Sequence, residues 1–373
     1  MLFSTSEIDA LKLLRWCRYI PREALTSAFS EEVLRPLVFF RFITLYQKHD
    51  AYVLTGAGNR FLTDRLPNLP APVRPSYKDD DYLRRSRTAR FALTVYRSGL
   101  SLFQTELAAL EEPGACYLTA QARVRGMNPW GSTRLAALLR LGNMICGAHY
   151  VESGIGKLSL TDELNALNNS TARFNHITRG LIFTGETYDS ILAELKETEE
   201  YPTGKMLTYG EAFRKLQLPV FLIPSNEIGA QQLRMMALPN YREKMTGLAL
   251  GSSGQPPPPD HPEWDAIYQD VPFIMAADMD FHRIDTAAES AIESGMGPAY
   301  LVAIKGQEDV LRKRYKATGL AQKVFTFSRE KPELKKALSL YTPPDRQYET
   351  QEGEVIHVPP FPRHSKDKKQ ARQ

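Results

Sequence analysis

The chain is poor in cysteine: Cys17, Cys116 and Cys146 are the only three in 373 residues, far apart and without a CxxC pair. An odd, scattered set argues against a disulfide framework or a zinc cage and leaves each thiol as a small apolar side chain. Long apolar runs are missing too. No stretch approaches the roughly 18 apolar residues of a bilayer span, and the first ten residues already carry Glu7 and Asp9, unlike a secretory signal. The expected setting is the cytoplasm, with no membrane partner. Neither sign of charge dominates, since 47 Lys and Arg stand against 43 Asp and Glu, a formal +4. So small a surplus identifies no partner, and any nucleic-acid surface has to come from local clustering of cations.

The signatures of catalysis are also lacking. No GxxxxGK[ST] occurs, and Gly154-Ile-Gly156 has neither a third glycine nor the strand-to-helix context of a nucleotide loop. The seven histidines form no HxH or HExxH, and His149, His176 and His282 are scattered. Ser225 lacks the flanking glycines of a nucleophile elbow. No cofactor is expected, and nothing identifies an enzyme.

What is present is a globular composition, 43% hydrophobic and 24% charged, in a chain long enough for two domains. The spacing of Ile8, Leu11, Leu14 and Tyr19 predicts an amphipathic helix from Thr5, with a cap among Ser4, Thr5 and Ser6 and with Glu7 and Asp9 in its first turn. Pro21 is placed to open a second helix, and Ser30-Glu31-Glu32 a third that runs through Leu34, Leu37 and Val38 toward Arg41. Ile43, Leu45, Tyr52 and Leu54 then flank the polar Gln47-Lys48-His49-Asp50 as a short hairpin, and Asn59 to Leu66 returns to helix. This is the order of a winged helix-turn-helix, assigned to residues 1–66.

Four prolines between Leu66 and Ser76 mark a linker over 67–80. From 81 to 341 strands alternate with helices, which predicts an α/β domain with a partly parallel sheet. Helices are expected over 81–111, 165–179, 187–200, 227–236, 285–293, 308–318 and 331–340. Strands are expected over 115–124, 141–152, 180–185, 218–223, 271–279, 299–304 and 323–327. The Gly- and Pro-rich stretch 251–259 reads as an unstructured interruption, and 342–373 as a flexible basic tail.

Function is sought first on the winged helix, whose third helix would enter the major groove of double-stranded DNA. Arg35 and Arg41 on that helix, Lys48 and His49 on the wing and Arg60 on the next helix are the candidate phosphate contacts. Arg84, Arg85 and Arg87, followed by Arg90 and Arg97, form a second basic cluster that would extend the surface. Against this stand Glu31 and Glu32, which repel phosphate, and Pro36, which kinks the third helix unless the helix starts there. A winged helix that docks on protein is the alternative. For chemistry the candidate is Asp278-Met279-Asp280: carboxylates two apart on a strand share a face and could share a divalent metal ion. The following strand reaches Lys305 with no acidic residue two before it, so the nuclease constellation is incomplete.

Two stretches, "AYVLTGAGNRFL" and "FIMAADMDFHRIDTA", with "STRLAALLRLGNMICGAHYV" between them, resemble the replication-relaxation proteins of plasmids and integrative conjugative elements. That resemblance implies a DNA-binding accessory protein of a mobile genetic element, acting in replication, conjugative transfer or their regulation. It also implies a second domain distantly like restriction-endonuclease folds. The other readings left open are a transcriptional regulator with an α/β sensor domain and a metal-dependent nuclease centred on Asp278 and Asp280. Homodimerisation is left open as well.

Overall fold

The computed structural model describes residues 3–66, 78–120, 130, 133–151, 157–196, 206–327, 346–349 and 355–358. Residues 67–77 of the linker expected over 67–80, residues 121–124, Gly154-Ile-Gly156, the helix expected over 331–340 and the basic residues from Arg363 onward lie outside them, while Asp79 and the residue after it, also expected in the linker, already belong to a helix.

The chain begins with α1 (Thr5–Cys17), whose start is fixed by a reciprocal pair: the Ser4 hydroxyl accepts from the Glu7 amide, and the Glu7 carboxylate accepts from the Ser4 amide. There follow β1 (Ile20–Pro21), α2 (Arg22–Ala28), α3 (Glu31–Phe39), β2 (Ile43–Tyr46), β3 (Ala51–Leu54) and α4 (Gly56–Arg65). β3 lies between β1 and β2 and is antiparallel to both. Pro36 sits inside α3 and not at its start. The turn into α4 is tight. The Thr55 hydroxyl accepts from the Gly58 amide and donates to the Arg41 carbonyl, and a Cβ on Gly58 would overlap the Phe42 carbonyl oxygen.

α5 (Asp79–Ser98) is stopped by Gly99, which takes the left-handed conformation at φ 81°. The helix expected as far as residue 111 is therefore shorter. Beyond it come β4 (Cys116–Leu118), β5 (Leu135–Leu141), β6 (Met144–Tyr150), β7 (Leu158–Ser159), α6 (Leu160–Ser170) and β8 (Thr178–Gly185). Next are α7 (Tyr188–Lys196), β9 (Met206–Leu207), α8 (Tyr209–Lys215), β10 (Val220–Pro224), α9 (Glu227–Met236) and α10 (Tyr241–Leu250). The last third holds β11 (Ala266–Tyr268), β12 (Val271–Met275), α11 (Phe281–Glu293), β13 (Ala299–Ile304), α12 (Glu308–Leu311), β14 (Ala321–Phe327), β15 (Arg346–Glu349) and β16 (Val355–Val358). α12 runs on into a π-turn over Arg312–Lys316.

The protein is thus mixed α/β with several sheets. One has the order β10-β8-β6-β5-β4, parallel among β10, β8 and β6 and antiparallel from β6 to β4. Another has the order β11-β12-β13-β14, parallel from β12 to β14. An isolated bridge between Phe221 and Asp280 joins the two at the free edge of β10. Both sheets are covered on both faces. Phe273 and Met275 of β12 and Val302 and Ile304 of β13 enter one core, while Ile274, Leu301 and Ala303 enter a second core on the other side. Two-sided burial explains why these strands read as apolar runs without alternation. No described helix is long and apolar enough to cross a membrane.

The first core also contains Leu11, Leu14, Leu25, Leu37 and Leu62 from residues 3–66, joined to the sheets through Ala89, Phe91, Ala92 and Val95 of α5. Several boundaries differ from the sequence expectation. Residues 141–152 were one expected strand, but Gly142 at φ 51° makes a hairpin of β5 and β6. Residues 251–259 are ordered, with Gln255 bridged to Ile267. Within the expected flexible tail, β15 and β16 pair antiparallel. All three cysteines are buried, and burial raises each thiol, Cys17 to about 12.

Gly58→Ala is expected to cost about 1–3 kcal/mol, because the Phe42 backbone cannot yield cheaply. Gly56→Ala, with open space around its Cβ position, is expected to be neutral or slightly stabilising. Urea denaturation of the two variants side by side checks both expectations.

Candidate nucleic-acid interface and buried carboxylates

The structure distributes the candidate DNA contacts unevenly. Arg35, Arg41 and Arg60 are exposed. Arg35 is engaged by Glu31, at 3.0 Å, with both side chains about three-quarters exposed, and such a surface pair exchanges readily. Arg41 lies beyond α3, which ends at Phe39, and not on it; with φ 55° and its carbonyl held by Thr55 at the start of α4, it lies close to the helix that carries Arg60. The solvent side of α3 is not uniformly basic. Beside Glu31, Glu32 and Arg35 it shows Val38 and Phe39, and Phe39 is 77% exposed, the most exposed of the large apolar side chains described.

Lys48 and His49 sit on the turn between β2 and β3, and that turn is not free. Lys48 Nζ lies 2.6 Å from Asp79 Oδ1, and the His49 ring stacks on Tyr82 at 3.9 Å. The hydrogen bond from Lys48 holds the Asp79 carboxyl below its usual range and in return raises Lys48.

The second basic cluster is mostly structural. Arg85 is a correction: it is 6% exposed, beside Cys17 of α1, because α5 lies against α1 and covers the side chain. Arg84 is exposed and Arg87 half-buried. Arg90 binds Glu23 of α2 and approaches Glu186 to 3.7 Å, and Arg97 donates to Ser27. These two arginines clamp α5 onto α2.

Asp278 and Asp280 do not share a strand face. β12 ends at Met275, and Met279 between the two carboxylates has φ 55°, so they occupy a turn. Asp280 caps α11, accepting from the Arg283 amide. Asp278, 1% exposed, accepts from the Tyr241 hydroxyl at 2.6 Å, and both its oxygens lie 3.3 Å from the Arg283 guanidinium. Arg283 also binds Asp265 at 3.0 Å and the Met275 carbonyl. A buried guanidinium therefore stands where sequence reasoning placed a metal ion. Burial pulls Arg283 down, but Asp278 and Asp265 more than offset it, so it is protonated more firmly than usual. Burial, then the Asp278 charge, push Asp280 up to about 6. Among the described residues no group of three or more His, Cys, Asp or Glu is placed to hold a metal ion.

Two features escaped sequence reasoning because their parts are far apart in the chain. Tyr241 and Asp265 line a cleft of about 520 Å³ together with Asn143, Asn240, Arg242 and Trp264. His149, at the end of β6 and 2% exposed, lies 3.7 Å from Glu163 of α6, and neither ring nitrogen has a hydrogen-bond partner. Burial first and the Arg134 charge second lower His149 to about 4.

Removing Arg283 strands two buried carboxylates, so Arg283→Ala is expected to cost about 3–5 kcal/mol in a urea titration. The two buried titrating groups work against each other. Between about 4 and 6 the folded chain keeps an Asp280 proton that the unfolded chain releases, so this group removes stability as pH rises. Between about 6.5 and 4 the unfolded chain protonates His149 and the folded chain does not, so this group removes stability as pH falls. Each slope is bounded by about 1.4 kcal/mol per pH unit. Asp280→Asn can still cap α11. It is expected to leave the His149 slope unopposed, with stability falling more steeply toward acid than in the wild type. Urea midpoints across this pH range read the difference, and identical profiles would remove Asp280 from the account.

Comparison with protein-family models, with curated proteins and with solved structures gave no match for this chain.

Proposed function

We propose that residues 3–66 are a winged helix that binds double-stranded DNA, and that the chain is an accessory protein of a mobile genetic element acting in replication, transfer or their regulation. The observation that carries the first part is topological. Helix, short strand, two helices and a hairpin, with β3 paired on both sides by β1 and β2, make the winged-helix arrangement. α3 is then the helix that faces the major groove, with Arg35, Arg41 and Arg60 as phosphate contacts. The mobile-element part rests on the stretches that resemble replication-relaxation proteins, and so does a distant likeness of the larger α/β part to restriction-endonuclease folds. Nuclease chemistry is not part of the proposal. The Arg283 guanidinium occupies Asp278, Asp280 is spent as the cap of α11, and β5, β6 and β13 carry no acidic side chain.

A second reading is favoured by Val38 and Phe39. An exposed aromatic side chain beside Glu31 and Glu32 suits a protein partner better than a phosphate backbone. Duplex-DNA binding by the full chain across a salt series separates the two readings. For DNA binding, log K is expected to fall linearly with log salt, and Arg41→Ala and Arg60→Ala are each expected to flatten that slope by about one. Absence of binding at low salt would sink the DNA reading and leave the protein-docking one.

A further inference from the structure

Lys48 and His49 stand on the turn of the hairpin, yet both face a carboxylate of the chain itself. Lys48 Nζ lies 2.6 Å and His49 Nε2 3.3 Å from the same oxygen, Asp79 Oδ1. An ion pair between exposed groups is weak alone, but this one is held in place from both sides. Tyr82, three residues along α5, stacks on the His49 ring at 3.9 Å and 7°, and its hydroxyl donates to the His49 carbonyl at 3.0 Å. Tyr19 packs edge-on against Tyr82 from α1's end of the module, and the Tyr46 ring lies 5.5 Å from that of His49. Asp79 Oδ1 accepts a hydrogen bond from the Lys48 ammonium, with the imidazole Nε2 close by but not hydrogen-bonded to it, and so stands where a DNA phosphate oxygen would meet Lys48.

We infer that Asp79 is an intramolecular competitor of DNA for the wing: the first turn of α5 holds Lys48 as a phosphate would, and a duplex engages Lys48 only by displacing it. This inference rests on the DNA-binding reading. In the unaltered chain Lys48 contributes nothing to affinity, because its partner is already in place, and DNA is held through Arg35, Arg41 and Arg60. Neutralising Asp79 gives the duplex a second point of attachment.

The test uses the full chain and a fluorescent duplex, titrated at several salt concentrations. Asp79→Asn keeps the size of the side chain and removes its charge. It is expected to bind about fivefold more tightly and to steepen the salt dependence by about one unit of slope. Lys48→Ala alone is expected to change neither quantity, and in the Asp79→Asn background to return both to the wild-type values. Thermal melts of the variants, expected close to the wild type, show that the fold is kept. If the wild type binds DNA but Asp79→Asn binds with the same affinity and slope, the competition is overturned while the DNA reading survives. Weaker binding by Lys48→Ala in the unaltered chain overturns it too, since Lys48 would already be on the DNA. If the wild type binds no duplex at low salt, the DNA reading fails and this inference falls with it.

Discussion

Burial of α5 is the constraint on which the other contacts depend. Its apolar residues from Ala89 to Val95 sit in one continuous core with the helices of residues 3–66 on one side and the sheet strands on the other. At roughly 25 cal/mol per Å² of apolar surface, sharing one helix between both neighbours stabilises the contact far more than any exposed ion pair. The polar ends of α5 then have fixed tasks. Asp79 and Tyr82 meet the hairpin, Arg90 and Arg97 meet α2, and Arg234 of α9 donates to the Arg97 and Ser98 carbonyls at the far end. A module joined this way is oriented by its neighbour as well as tethered to it.

Arg283 does for the sheets what α5 does for the module. It collects Asp265, Asp278 and the end of β12 at the place where the turn after β12 is bridged to β10. Next to it, Gln232 donates to the Leu222 and Asp278 carbonyls, and Tyr188 links Gln232 to Gln307. Buried polar groups cost free energy unless each finds a partner. A chain of them across the junction therefore favours one placement of β10 against the turn that follows β12. The same reasoning explains why Asp278 is met by a guanidinium: an unpaired buried Asp278 would be expensive.

Local features were the ones legible in the sequence. The reciprocal cap at Ser4 and Glu7, the apolar stripe of α1, the hairpin flanking Gln47 to Asp50 and the runs that became β10 and β13 all depend on neighbours within a few residues. What was not legible depends on long-range packing. Lys48 and Arg85 read as surface cations, since nothing nearby reveals that Asp79 meets the first and that α1 covers the second. Asp278 and Asp280 have the spacing of a strand face, and only the left-handed Met279 breaks it. α10 was missed altogether, its N-cap being Asn240 in a left-handed conformation without a side-chain cap bond. For the candidate site, the exposure of Arg35, Arg41 and Arg60 agrees with their sequence context, whereas the mixed character of the α3 face emerges only once Val38 and Phe39 are seen turned outward.

The three buried thiols have a practical consequence. Reaction with alkylating or maleimide reagents requires thiolate, and Cys17, Cys116 and Cys146 are all shielded and held protonated. The native fold is therefore silent toward such reagents, so a single cysteine introduced at an exposed position would carry a probe with no background from the others. Spectroscopic distances between the hairpin and the sheets can be measured on the natural core, without first stripping its sulfur.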